Sequence, residues 1–96
     1  MQIIRDELYL FELSKIINFM ASSSVIAALN FLDKLDAKID NLANMPYKFR
    51  PSQYYKDKNI RDLIFKGYTI PYLVDENKDL IVVLDIFKWS YRKVAK

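Results

Sequence analysis

Apolar and polar positions recur along this chain with two different periods. After Asp6, residues Leu10, Leu13, Ile17 and Met20 recur at spacings of 3, 4 and 3, with Tyr9, Ile16 and Phe19 beside them. That is helical spacing, and it predicts an amphipathic helix of about four turns. Asp6 is placed to cap it, and Glu7 sets a carboxylate where the helix dipole favours one. Ser22-Ser23-Ser24 interrupts the stripe. Serines serve better as caps than inside a helix, so Ser23 or Ser24 opens a second one. There Val25, Ala28, Leu32, Leu35, Ile39 and Leu42 step by 3, 4, 3, 4 and 3, and Asp33, Lys34, Asp36, Lys38 and Asp40 mostly fill the other side. The stripe is short for a coiled coil and suits packing on a sheet. Asn44-Met45-Pro46 ends it, because the residue before proline is pushed out of the helical region. Two helices joined by so short a turn lie antiparallel.

From Ile60 the period changes. Ile60–Phe65, Tyr68–Val74 and Leu80–Lys88 are runs rich in β-branched and aromatic residues, split by Lys66-Gly67 and by Asp75-Glu76-Asn77-Lys78-Asp79. They read as a three-stranded antiparallel meander. Strict alternation puts Tyr68, Ile70, Tyr72 and Val74 on one face of the middle strand. It likewise groups Leu80, Val82, Leu84 and Ile86, opposite Ile81, Val83, Asp85 and Phe87. Pro71 cannot donate to a sheet ladder, so either a bulge or an unpaired side is expected there. Arg61 and Asp85 are the charges that break the strand pattern, and they pair if they face the same side. Met1–Arg5, apolar at Ile3 and Ile4, is either a first strand or a lead-in. The reading is one α+β domain spanning residues 1–96, with an N-terminal helix hairpin packed on a small twisted antiparallel sheet.

Composition narrows the chemistry. The chain has 96 residues, enough for one domain with one thin core. It contains no cysteine and no histidine, so thiol chemistry, imidazole or thiolate metal sites and a histidine base are all excluded. With one glycine it has no glycine-rich phosphate loop, and the serine run has no histidine to form a triad with. No cofactor and no metal are expected. No secretory signal and no membrane span are expected either, which points to the cytoplasm.

Charge is unevenly spread. Residues 1–45 carry four cations against six acids, and residues 46–96 carry eleven against six. The basic half therefore suits an anionic partner or a solvated basic surface. Between Pro46 and Lys58, Lys48, Phe49, Arg50, Pro51, Tyr54, Tyr55, Lys56 and Lys58 interleave aromatics with bases. Such a loop either clamps a nucleic-acid strand by stacking or folds its aromatics back over the sheet edge. After Phe87, the chain combines Trp89 and Tyr91 with Lys88, Arg92, Lys93 and Lys96. Arg50, Arg61, Lys66, Lys88, Tyr91 and Arg92 remain as candidates for function. Fixed cations can hold a phosphate and stabilise a phosphoryl transition state, and a tyrosine or lysine among them can move a proton.

The order of the elements resembles a known family. A helix hairpin is followed by Met45-Pro46 with Arg50-Pro51, then Ile60-Arg61-Asp62-Leu63, Gly67-Tyr68-Thr69-Ile70-Pro71-Tyr72, and Ile81-Val82-Val83-Leu84-Asp85-Ile86-Phe87. Over nearly the whole chain this resembles the RelE/ParE superfamily, the toxins of bacterial type II toxin–antitoxin and plasmid-stabilisation modules. The resemblance implies growth inhibition, with neutralisation by an acidic antitoxin from an adjacent gene in a toxin–antitoxin complex. RelE-like members cleave mRNA on the ribosome; for that activity the resemblance assigns Arg61, Lys88 and Tyr91 to catalysis. ParE-like members poison DNA gyrase without needing those residues, and Arg50, Lys66 and Arg92 are then the cations expected to meet the target. Lys88 stands where many members have histidine and Asp85 where a base is common, departures that lean towards the ParE-like activity. A non-toxic interaction remnant of the family is the remaining alternative.

Overall fold

The computed structural model describes residues 1–88. Their order is β1 (Gln2–Arg5), α1 (Glu7–Ser23), α2 (Val25–Asp40), a 3-10 turn (Asn41–Ala43), β2 (Ile60–Phe65), β3 (Tyr68–Asp75), β4 (Leu80–Val83) and β5 (Phe87–Lys88). Asp6 caps α1 by accepting from the Leu8 N–H, and Ser24 caps α2 by accepting from the Ala27 N–H. Both caps satisfy amides that a helix start leaves without partners.

Both helices turn inward most of the stripe that the spacing gave, with its edges shifted. In α1 the buried residues are Tyr9 and Leu13, with Ile16, Ile17 and Met20 half-covered, whereas Leu10 and Phe19 face solvent. In α2 Ala28, Phe31, Leu35 and Ile39 are buried and Val25 is exposed. Apolar residues on both flanks of each helix leave the centre of the stripe undetermined by spacing alone. The sheet settles it: Phe31 sits at 5.3 Å from the Phe65 ring and 5.6 Å from the Tyr68 ring. Ring packing of this kind, tilted against Phe65 and edge-on to Tyr68, anchors α2 over the β2–β3 hairpin.

The α+β architecture holds, with one change to the sheet. Its order is β1-β4-β3-β2, with β5 continuing beside β3. The meander is antiparallel as expected, but β1 pairs with β4 in parallel, Ile3 opposite Ile81 and Ile4 opposite Val82, so the sheet is mixed. A parallel pair needs a long crossover, and the helix hairpin is part of the chain that supplies it. Arg5 at the end of β1 then reaches Asp36 at 3.6 Å and Asp40 at 3.2 Å, tying the strand to α2.

Pro71 marks a bulge. β4 pairs Val83 with Tyr72, while β5 pairs Phe87 with Thr69. Two residues of β3, Ile70 and Pro71, thus face three between β4 and β5, Leu84, Asp85 and Ile86. Pro71 accepts from the Leu84 N–H at 2.9 Å, whereas Val74 donates the other way, to Asn59 on the β2 side. Alternation therefore aims the proline nitrogen at β4–β5, where the ladder is interrupted and no donor is missed. The extra residue also changes faces. Ile86 joins Ile81 and Val83 in the core instead of sharing a face with Leu84, which corrects the alternation expected for this strand.

Candidate functional site

Arg61 lies on the helix-covered face of β2, opposite Tyr72. The helices end short of it, and the chain from Met45 to Arg50 closes over this end of the sheet. The Arg61 Nη1 donates to the Phe49 carbonyl at 2.9 Å, and the guanidinium lies 4.9 Å from the centre of the Tyr47 ring. Its Nε is buried without a hydrogen-bond partner among the described residues. Beside it, the Tyr72 hydroxyl donates to the Pro46 carbonyl at 2.7 Å and the Phe49 ring stands edge-on to Tyr72 at 6.5 Å. Arg61 and Tyr72 thus pin one loop through two of its backbone carbonyls. Arg61 does not pair with Asp85, whose carboxylate accepts instead from the Ile86 N–H at 2.8 Å.

The phenols here resist ionisation. Burial pushes Tyr72 up to about 12; its hydrogen-bonded setting and the Arg61 charge pull the other way. Tyr47 is also raised, by desolvation and then by the Glu76 carboxylate. Neither is prepared to accept a proton near neutral pH, since a base needs a pKa lowered towards the working pH.

Beyond Arg50 the loop crosses to the other face of the sheet. Ser52 donates to the Ile60 carbonyl and Asp62 donates to the Arg50 carbonyl, so residues 50–52 run along the outer edge of β2. Buried Asp62 accepts from the Gln53 N–H at 3.0 Å, and Tyr54 packs edge-on to Phe87 at 5.0 Å. Of the two readings open for this loop, Phe49 and Tyr54 take the packing one.

The cations fall at two ends of the sheet. Lys66 opens the β2–β3 turn and Lys88 pairs with Tyr68 just beyond it, its ammonium 5.5 Å from the Tyr68 ring. Arg61 is opposite Tyr72, four residues further along β3, or about 13 Å of strand. Arg50 is near Arg61, exposed, and bonded to the Gln53 side chain at 3.2 Å. So the geometry groups Lys66 with Lys88, and Arg50 with Arg61, but not the two groups together. Tyr91 and Arg92 lie outside the described residues.

Sequence reasoning missed two contributors. Lys15 of α1 shares a groove of about 320 Å³ with Phe19, Tyr68 and Lys88; its spacing from Glu12, 3.1 Å away, marks only a helix-surface pair. Tyr47, which carries the face of Arg61, had no signal beyond being one more aromatic in a loop. Among the described residues there is no cluster of acidic side chains able to hold a metal ion.

Comparison with known proteins now bears on this arrangement. The family model described as the ParE toxin of type II toxin–antitoxin systems, parDE, matches residues 4–90. The chain belongs to the ParE toxin family. Among solved structures, this ParE-type toxin is similar to a chain of the chromosomal ParDE toxin–antitoxin system from P. aeruginosa. The two share 14% identity and a TM-score of 0.74, over 92% of this chain and 95% of the other, a likeness of fold. No curated protein matches it.

Proposed function

We propose that this ParE-type toxin arrests bacterial growth in the cytoplasm by binding an essential target, DNA gyrase, and that an acidic antitoxin encoded beside it neutralises it. The observation that carries the reading is the use made of Arg61. Its guanidinium is held by the Phe49 carbonyl and the Tyr47 ring, about 13 Å of strand from Lys88. Two cations so far apart do not converge on one scissile phosphate, and stabilising a transition state requires groups placed about 3 Å from where charge develops. Lys66 and Arg50, exposed at opposite ends of β2, together with Arg92, are then contacts for a protein surface.

Induction of the gene in a bacterial host tests this. Growth should stop while linearised plasmid DNA accumulates, and co-expression of the neighbouring acidic protein should restore growth. Arrest with intact DNA and truncated messenger RNA would reject the gyrase reading.

A further inference from the structure

Between Leu13 and Leu32 the chain carries one charged residue, Lys15. This stretch is the second half of α1, the turn at Ser24 and the first half of α2. Part of its apolar surface serves the core, but not around the turn. Phe19 is 79% exposed and Ile26 74%, the two most exposed large apolar side chains among the described residues, and Val25 and Leu29 are exposed with them. A cluster of this kind on a folded surface marks a contact with something apolar.

The tip of the hairpin stands clear of the sheet. Phe31 packs on Phe65 and Tyr68, which pair in the last rung of β2 and β3. Later residues of α2 run up the sheet, Asp36 and Asp40 reaching Arg5, so earlier ones run past its end. At 1.5 Å per residue, Ile26 stands about 7 Å of helix beyond Phe31. Phe19 and Ile26 thus flank a projecting turn, a shape that enters a soft apolar layer without needing a pocket cut for it.

The charges around the tip state what that layer is. Lys15 and Lys88 line the groove beside Phe19, Lys34 lies beside Phe65, and Lys66 is exposed in the turn at the same end of the sheet. Lys34, Lys66 and Lys88 form no ion pair among the described residues. Glu12 is taken up by Lys15 at 3.1 Å, and Asp33 comes only after Phe31, away from the tip. A second copy packed tip to tip would set these lysines against the same lysines. A nucleic-acid backbone would meet the lysines and leave Phe19 and Ile26 in water. An anionic lipid surface satisfies both, its headgroups facing the cations and its acyl boundary the apolar side chains.

We propose that the tip of the helix hairpin docks this protein on anionic phospholipid surfaces, with Phe19, Val25, Ile26 and Leu29 entering the acyl boundary and Lys15, Lys34, Lys66 and Lys88 meeting the phosphates. Affinity grows with the apolar area buried and with each cation near the surface. No described helix is long and apolar enough to cross a membrane, so the contact is peripheral.

Vesicle binding by the full-length protein tests this. The protein should co-sediment with vesicles of mixed phosphatidylglycerol and phosphatidylcholine, not with phosphatidylcholine alone, and added salt should release it. Phe19→Ser with Ile26→Ser, at solvent-exposed positions, should weaken binding about tenfold or more. Lys34→Gln with Lys66→Asn should do likewise through lost charge. A spin label in the acyl chains should broaden the Val25 and Ile26 methyl resonances and spare those of Ile4, which is also exposed but lies on β1. Binding that ignores lipid charge, survives the Phe19 and Ile26 substitutions or broadens Ile4 equally overturns the proposal. So does absence of the protein from the vesicle pellet, or concealment of Ile26 by self-association without lipid. Uptake of an acidic amphipathic peptide at Ile26, with vesicles leaving that residue untouched, assigns the tip to a protein partner and overturns it too. None of these readouts involves gyrase or the antitoxin, so failure here and failure of the proposed function are distinguishable.

Discussion

The Arg61 guanidinium donates to the Phe49 carbonyl at 2.9 Å while lying 4.9 Å over the Tyr47 ring. A side chain that sequence alone nominates for catalysis is thus part of the fold. Charge-assisted bonds to carbonyls contribute more than neutral ones. Arg61→Ala should therefore lower stability by about 2 kcal/mol in urea unfolding. Activity should survive at temperatures where the variant remains folded. Lys at this position keeps charge but loses the planar stack, so Arg61→Lys should fall between the two.

Alkaline pH should unfold the protein earlier than an unperturbed tyrosine would allow. Tyr9 and Tyr72 each ionise at about 12 in the folded chain against 10.0 when exposed. For Tyr9 burial is the main cause, with Arg5 opposing it. The folded state holds both phenols neutral, so their contribution is intact below pH 10. Between pH 10 and 12 the unfolded chain releases these protons and the folded one does not. Stability therefore falls as pH rises through that window. Tyr72→Phe should remove part of this slope and cost about 1 kcal/mol at neutral pH through the lost bond to Pro46. Urea titrations at several pH values measure both effects.

The β2–β3 turn separates folding from function at Lys66. Lys66 and Gly67 have φ of 49° and 84°, the two positive angles of a type I′ hairpin. Asparagine suits the first position better than lysine, so Lys66→Asn should stabilise the protein by a few tenths of a kcal/mol. Weakened growth arrest in this variant would then report a lost target contact, not a folding defect. Gly67→Ala should cost about 1 kcal/mol, all of it backbone strain, because a Cβ there meets nothing within 4 Å.

The hairpin of helices, the two caps at Asp6 and Ser24, the meander and the family were legible in the sequence because each rests on local spacing or punctuation. What escaped depends on contacts distant along the chain. The parallel seat of β1 beside β4 is fixed only when the hairpin has folded across. The inward turn of Phe31 in place of Val25 follows from the rings of Phe65 and Tyr68. The bulge at Pro71 could be expected from proline chemistry, but its consequence, Ile86 in the core, needed the register on both sides. The candidate site was the least legible. Arg61 and Lys88 look alike as basic residues in strands, and only the path of residues 45–50 distinguishes a clamp from an exposed cation.

The central claim is that the toxin acts by binding and not by cutting RNA. One purified preparation of the full-length protein should be assayed in parallel for gyrase supercoiling and for messenger RNA cleavage on translating ribosomes. Inhibited supercoiling with intact message is the expected result. Message cleaved on the ribosome, lost together in Arg61→Lys and Lys88→Ala variants that remain folded, with supercoiling untouched, would contradict it.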